Sequence, residues 1–360
     1  MWRLRPERDS VLDSEGVQKA LPRYVDVVRS KKYSKYLIAK SLPAEFDDEE
    51  TEKSLWGKHA KLLEVFNEEE QKFDENKNKP VSLSRSFLDL KALLGYKIMS
   101  GCRFCERDCL VDRLEGRRGY CGAGTDFSLY SAFPHMGEEP ELVPSGTVFT
   151  GGCTIRCIHC QNWDISQWKS SGKSVDPEVM ALQVSELADS GCRNVNMVGG
   201  DPTPVTWQWI KTMTYLERNI ATIWNSNSYY SDYTARLLAG FIDLYLLDFK
   251  YGNNKCASEI SDAPGYWEAA TRNHLIANKY GEIIIRVLVL PGHNDCCTRP
   301  ILRWIHDHLG PWTRVNLMFQ YRPEWRARER RELSRRLSSG EIKEAKEIAS
   351  EVGLKNIVRG

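Results

Sequence analysis

The sequence predicts an α/β fold built on a parallel sheet, and three observations lead there. From Gly146 onward, short apolar runs alternate with amphipathic stretches of helical period, giving six successive βα units. Residues suited to chemistry gather at the carboxyl ends of those runs, where the active residues of such folds collect. Seven of the eleven cysteines fall between residues 102 and 160, on either side of the first run. An open doubly wound sheet and a partial barrel both satisfy this pattern.

In chain order, residues 1–85 are polar and charge-balanced. Apolar residues recur at helical spacing at Val25, Val28, Tyr33, Leu37 and Ile38, and again at Leu55, Trp56, Ala60, Leu62, Leu63 and Phe66. This predicts a helical N-terminal extension packed on the main domain, with no chemistry of its own. The stretch from Asn67 to Lys79 is almost all charged or amide and reads as a frayed helix end or linker. Residues 86–144 hold four cysteines among glycines and charges with little apolar periodicity, a composition that needs a metal to fold. Residues 145–360 form the core domain. Its predicted strands are Thr147–Thr150, Asn194–Val198, Ala221–Trp224, Ile242–Leu247, Ile283–Leu290 and Val315–Phe319. The helices between and after them fall near 176–190, 204–217, 231–240, 264–280, 297–309 and 339–352.

Composition excludes several classes. A net charge of +1 from 50 basic and 49 acidic residues gives no overall field toward nucleic acid or an anionic membrane. No run of about 18 apolar residues exists to span a bilayer. Met1-Trp2-Arg3-Leu4-Arg5 leads into charged sequence rather than an apolar signal, so a cytoplasmic protein is expected. Eleven cysteines in such a chain point to metal thiolates, not disulfides.

The segment 150–166, TGGCTIRCIHCQNWDIS, places Cys153, Cys157 and Cys160 at the spacing C-x3-C-x2-C directly after the first strand. Three thiolates hold three irons of a [4Fe-4S] cubane and leave the fourth iron open to a chelating substrate, whereas a closed structural site uses four ligands. An open iron accepts the amino and carboxylate groups of S-adenosylmethionine. A zinc loop recruiting His159 as a fourth ligand is the plainer alternative.

These residues resemble the radical SAM superfamily from about residue 100 to the C-terminus, and more narrowly its pyruvate formate-lyase-activating-enzyme-like branch. The matching blocks are GEEPELVPSGTVFTGGCTIRCIHCQNWDIS, DLYLLDFKYG, RVLVLPGH and VNLMFQYRP, with CRFCERDCLVDRLEGRRGYCGAG upstream. The resemblance implies a partial (β/α)6 barrel and an oxidoreductase that cleaves S-adenosylmethionine to a 5′-deoxyadenosyl radical. It implies a glycine-rich turn at Gly199, Gly200 and Asp201 for the methionine amino group, with Asp201 where glutamate is commoner. Asn225, Ser226 and Asn227 match positions facing the cofactor's ribose or carboxylate. Asp248 and Lys250 match an Asp-x-Lys pattern near the methionyl carboxylate, and His159 stands where a ring lies against adenine. A low-potential donor such as flavodoxin or ferredoxin, and a protein or peptide substrate, are the partners implied. An iron–sulfur electron carrier is the competing class.

Cys102, Cys105, Cys109 and Cys121 supply four more thiolates within 20 residues, enough for a closed zinc site or a second cubane. The short, hydrophilic loop favours zinc. Arg286 and His293 are weaker site candidates, an Arg in a strand commonly pairing with a core acid. Cys192, Cys256, Cys296 and Cys297 read as ordinary or buried thiols. Residues 322–336 carry seven arginines, three glutamates and Trp325, read as a solvated helix face paired to its own acids in preference to an RNA grip.

Overall fold

The computed structural model describes residues 10–76, 78–167 and 171–359. The expectation drawn from Met1–Arg5 lies outside the described residues. One sheet of nine strands organises the chain, in the order β3-β1-β2-β4-β5-β6-β7-β8-β9. The strands are β1 (Phe127–His135), β2 (Ser145–Thr150), β3 (Lys173–Val175), β4 (Asn194–Gly199), β5 (Ala221–Ser226), β6 (Leu244–Asp248), β7 (Glu282–Leu288), β8 (Arg314–Met318) and β9 (Ile357–Arg359). From β2 to β9 every neighbouring pair is parallel, while β1 runs antiparallel to both β2 and β3. The six strands read from the sequence are thus the parallel strands β2 and β4–β8, each followed by at least one helix.

Parallel strands need both faces covered, and the side-chain period of two assigns the residues. Trp224, Tyr245, Leu247, Ile283 and Ile285 point outward into the large core shared with the helices. Ile223, Leu244, Leu246 and Ile284 point inward and form a second apolar cluster. Helices α1 (Glu15–Ala20) and α2 (Pro22–Val28) fill that inner cluster through Val17, Tyr24, Val25 and Val27. The N-terminal extension therefore floors the barrel. Glu282 fastens it, accepting from the main-chain N–H groups of Arg23 and Tyr24 in the first turn of α2, both at 2.7 Å.

Helix α3 (Lys35–Ser41) precedes α4, which runs unbroken from Glu52 to Asn76, so the charged stretch after Asn67 is neither frayed nor a linker up to Asn76. Its acids have distant partners: Glu70 and Asp74 lie 2.8 and 3.2 Å from Arg23, and Glu70 also pairs with Lys35. Helix α5 (Phe87–Met99) was not anticipated. It is apolar on nearly every side and joins the main core, started by a Ser86/Asp89 capping box. The other helices are α6 (Trp163–Ser166), α7 (Pro177–Asp189), α8 (Thr206–Tyr215), α9 (Asp232–Leu238), α10 (Asn254–Ser261), α11 (Tyr266–Tyr280), α12 (Arg299–Leu309) and α13 (Ser339–Val352). Residues 322–336 are not a helix face. They hold two 3-10 turns, with Arg322, Arg326, Arg330 and Arg335 paired to Glu324, Glu329, Glu332 and Glu341. No described helix is long and apolar enough to cross a membrane.

Candidate active site

Continuing the inward parity of the strands upward places Asn225 above Ile223, Asp248 above Leu246 and Arg286 above Ile284. The lower half of the interior is therefore apolar, and the upper half, at the strands' carboxyl ends, is polar. A cavity of about 250 Å³ opens there. Cys153, Cys157, Cys160 and His159 line it from the loop after β2. Gly199, Gly200 and Asp201 line it from the end of β4, Asn225, Ser226 and Asn227 from β5, and Asp248 and Lys250 from β6. Arg286, Gln320 and Tyr321 complete the wall.

The cysteine loop is set by the chain around it. Arg156 and Ile158 donate their N–H groups to the carbonyls of Ser261 and Ile260 (2.8 and 3.0 Å), and Gly152 donates to Ile165 (3.2 Å). Each sulfur then has one polar side chain from a different element. Asn227 Nδ2 donates to Cys153 Sγ (3.4 Å), Ser261 Oγ to Cys157 Sγ (2.9 Å), and Ser166 Oγ lies 3.2 Å from Cys160 Sγ. Burial pushes all three thiols up, Cys157 to about 11 against the opposing pull of Lys250. A cationic centre shared among them would reverse that preference. No fourth cysteine lines this cavity among the described residues. Three thiols with one polar neighbour each, beside a polar lobe, fit a cluster with three protein ligands and one open position.

His159 is buried, its Nε2 3.2 Å from the Tyr251 hydroxyl and its ring edge-on to Tyr321. Burial, then the Lys250 charge, pushes it down to about 3, so it is a neutral ring. Tyr251 in turn bonds Ser261, which connects His159 to Cys157 through two hydroxyls. Asp248 and Lys250 form an ion pair at 2.7 Å. Burial works against the ammonium, but Asp248 and the Cys157 sulfur outweigh it and hold Lys250 charged. The Asp201 carboxylate accepts from Thr203 N (2.9 Å), Ser226 Oγ (3.0 Å) and Asn227 N (2.8 Å), clamping the ends of β4 and β5 together. The glycines have a steric reason. A Cβ on Gly200 would lie 2.1 Å from Gly152 O, and Gly199, at φ +138°, would strike Thr150 O at 2.0 Å. Both are needed so that the cysteine loop can pack on β4.

Sequence reasoning did not single out Ser166, Tyr251, Ser261 or Glu139. Glu139, buried beneath the cavity, chelates Arg286 (2.7 and 2.6 Å) and accepts from Asn316 (2.7 Å). Arg286 thus does pair with core acids, Glu138 included, while its Nη1 reaches Asn225 at 3.4 Å. Glu139, Ser166 and Tyr251 lie in the GEEPE, WDIS and DLYLLDFKYG blocks, whereas Ser261 lies in none of the matching blocks. His293 lies apart from the cavity lining.

Cys102, Cys105 and Cys121 are buried and Cys109 half-buried, drawn together by main-chain bonds from Cys102 to Val111 (2.9 Å) and from Leu110 back to Cys102 (2.9 Å). A buried guanidinium sits among them, with Arg113 Nη2 3.4 Å from Cys121 Sγ. Burial opposes its charge, and the thiols Cys121, Cys102 and Cys105 more than offset that. Arg107 and Arg156 reach between this loop and the first: Arg107 Nε donates to Thr154 O (3.0 Å), and Arg156 Nη2 to Tyr120 O (2.5 Å). Among the described residues one group of ligating side chains has all its donor atoms within 4.8 Å, and it is neither of these sets.

The sequence matches the family model described as the Radical SAM superfamily over residues 147–305. It is 41% identical over 342 residues to the uncharacterized protein MJ0674 of Methanocaldococcus jannaschii, covering 93% of this chain and 98% of that one. To MJ0808 of the same organism it is 25% identical over 252 residues, 62% of this chain and 71% of the other. Among solved structures, a domain of pyruvate-formate lyase-activating enzyme from Bacteroides vulgatus aligns over 51% of this chain and 91% of its own, with 13% identity and a TM-score of 0.33. TYW1 with a lysine-pyruvate adduct bound aligns over 57% and 73%, with 14% identity and a TM-score of 0.36.

Proposed function

The chain belongs to the radical SAM superfamily, and from that premise we propose that it binds a [4Fe-4S] cluster on Cys153, Cys157 and Cys160 and cleaves S-adenosylmethionine reductively. When bound, the cluster supplies one electron to the sulfonium, which yields methionine and a 5′-deoxyadenosyl radical able to abstract hydrogen from a substrate. The observation that carries this reading is the convergence of three thiols, a glycine turn, the polar run Asn225–Asn227 and an Asp–Lys pair from four consecutive strand ends on one cavity. The residues divide the work. Lys250, held charged, receives the methionyl carboxylate, with Asp248 fixing its direction. The backbone at Gly199–Gly200 receives the ammonium, and Asp201 keeps that turn against β5 rather than meeting the ligand itself. Asn225, Ser226 and Asn227 offer amide and hydroxyl groups to the ribose. Neutral His159 supplies a ring to flank the adenine while remaining bonded to Tyr251. Glu139 and Glu138 both pair with Arg286, which fixes its guanidinium in the floor of the cavity.

The substrate we assign is a protein or peptide backbone hydrogen, with a flavodoxin- or ferredoxin-like protein as electron donor. Cys102, Cys105, Cys109 and Cys121, with Arg113 as counter-charge, hold a second metal, zinc in preference to a cubane. The test of the main reading is anaerobic reconstitution with iron and sulfide, followed by a low-potential reductant and S-adenosylmethionine. 5′-Deoxyadenosine should form. Cys157→Ala should abolish it while far-ultraviolet dichroism stays unchanged, and turnover retained in that variant would sink the assignment.

A further inference from the structure

Beyond the cavity, the loops after β6 and β7 bring together four ligating side chains that lie 41 residues apart at most in sequence. Cys256 is in the first turn of α10, His293 follows β7, and Cys296 and Cys297 lie in the π-helical turn Asn294–Thr298. Such turns are rare and concentrate at functional positions. Cys256 Sγ is 3.8 Å from Cys296 Sγ and 3.8 Å from His293 Nδ1. His293 Nδ1 is 3.2 Å from Cys296 Sγ, which is 3.9 Å from Cys297 Sγ. A tetrahedral zinc with Zn–S near 2.3 Å and Zn–N near 2.0–2.1 Å has donor–donor edges of roughly 3.5–3.8 Å. A disulfide needs sulfurs about 2.05 Å apart, and a cubane spreads its thiolates well beyond these edges.

The surrounding backbone is built to hold this arrangement. Asn253 Oδ1 accepts from Cys256 N (2.8 Å), while its Nδ2 donates to Cys296 O (2.8 Å) and to Cys256 Sγ (3.4 Å). A side chain on Gly252 would strike Cys296 O at 2.7 Å and Cys297 Cα at 2.8 Å, so the β6 loop approaches the cysteine pair only as glycine. We propose that Cys256, His293 Nδ1, Cys296 and Cys297 bind one zinc ion in a closed Cys3His site. This replaces the reading of those three cysteines as ordinary thiols and does not depend on the chemistry assigned to the cavity. Four protein ligands leave no position for substrate, so the ion is a cross-link. It joins the loop that begins at Asp248 and Lys250 to the loop that follows Arg286, fixing the rim of the cavity.

The experiment is metal analysis of the full-length chain, purified without chelator, beside Cys296→Ser/Cys297→Ser, Cys105→Ser and Cys157→Ala. The double variant should hold one zinc fewer per chain than the unaltered protein, and the other two variants should each keep this ion. Alkylation mapped by mass spectrometry covers the case in which the double variant misfolds. In the unaltered chain Cys256, Cys296 and Cys297 should resist alkylation until a strong chelator is added. Equal zinc in a folded double variant, loss of iron rather than zinc, or immediate alkylation of all three thiols would each overturn the proposal.

Discussion

Ser261→Ala tests whether the protein tunes the metal centre through hydrogen bonds to sulfur. The Ser261 hydroxyl donates to Cys157 Sγ at 2.9 Å and is itself bonded to Tyr251. A hydrogen bond to a charged acceptor is worth about 1.5–3 kcal/mol. Only the fraction that grows when the cluster gains an electron moves its potential. Taking about a third of the bond, roughly 0.5–1 kcal/mol, and about 59 mV per 1.4 kcal/mol for one electron, gives a shift of ~20–40 mV. The reduced cluster carries more negative charge and gains more from the donor, so removal lowers the potential. Potentiometric titration of the reconstituted protein, followed by electron spin resonance of the reduced cluster, reads the shift directly. Ser261→Thr keeps the hydroxyl and should restore the original value. Tyr251→Phe should move the potential the same way by less, since it only polarises Ser261. An unchanged or higher potential in Ser261→Ala would refute the reasoning.

Asp248→Asn and Lys250→Ala should each weaken S-adenosylmethionine binding about tenfold or more with iron content intact; equilibrium dialysis showing unchanged affinity in both would leave the pair a structural role only. Gly200→Ala forces a Cβ to within 2.1 Å of Gly152 O, and should cost about 1–3 kcal/mol in stability and deplete reconstituted iron. Full iron with an unshifted melting temperature would contradict this. Burial pushes Glu282 up from 4.5 to about 7, so its contribution is fully present below pH 4.5 and is lost as pH rises through 7. That amounts to about 3 kcal/mol over the window. Glu282→Gln should flatten this limb of the stability curve in denaturant titrations at pH 5 and pH 8, and an identical slope in variant and parent would argue against the shift.

The parallel strands were legible because a strand buried on both faces reads as a continuous apolar run, and their carboxyl ends then located the cavity residues. Strand β1 was not legible. Most of its positions are half-buried, and Pro134 and His135 break the pattern. Helix α10 is short and polar and announces itself only through its Asn253 cap. The acids of α4 looked like a linker because Arg23, Lys32 and Lys35, their partners, lie roughly 35–50 residues earlier in the chain. The Cys256 group was hidden for a similar reason. No local spacing links Cys256 to His293, and only the adjacency of β6 and β7 brings their following loops together. The donors to the three sulfurs share that difficulty, since Asn227 and Ser261 meet the cysteine loop through the closure of the barrel.

Flooring the barrel with α1 and α2 also has a consequence for the order in which the chain assembles. Val17 and Tyr24 pack on Ile223, Leu246 and Ile284, and Gly16 O accepts from Asn356 Nδ2 at 2.7 Å. Helices α1 and α2 thus lack their complete docking surface until about 260 further residues exist. At about 5–20 residues per second they wait roughly 13–50 s with apolar faces exposed. Contacts of such high sequence separation form late, after loop closure has been met by the nearer strand pairs. A chain shortened before β8 and β9 would therefore leave α1 and α2 without part of their seat.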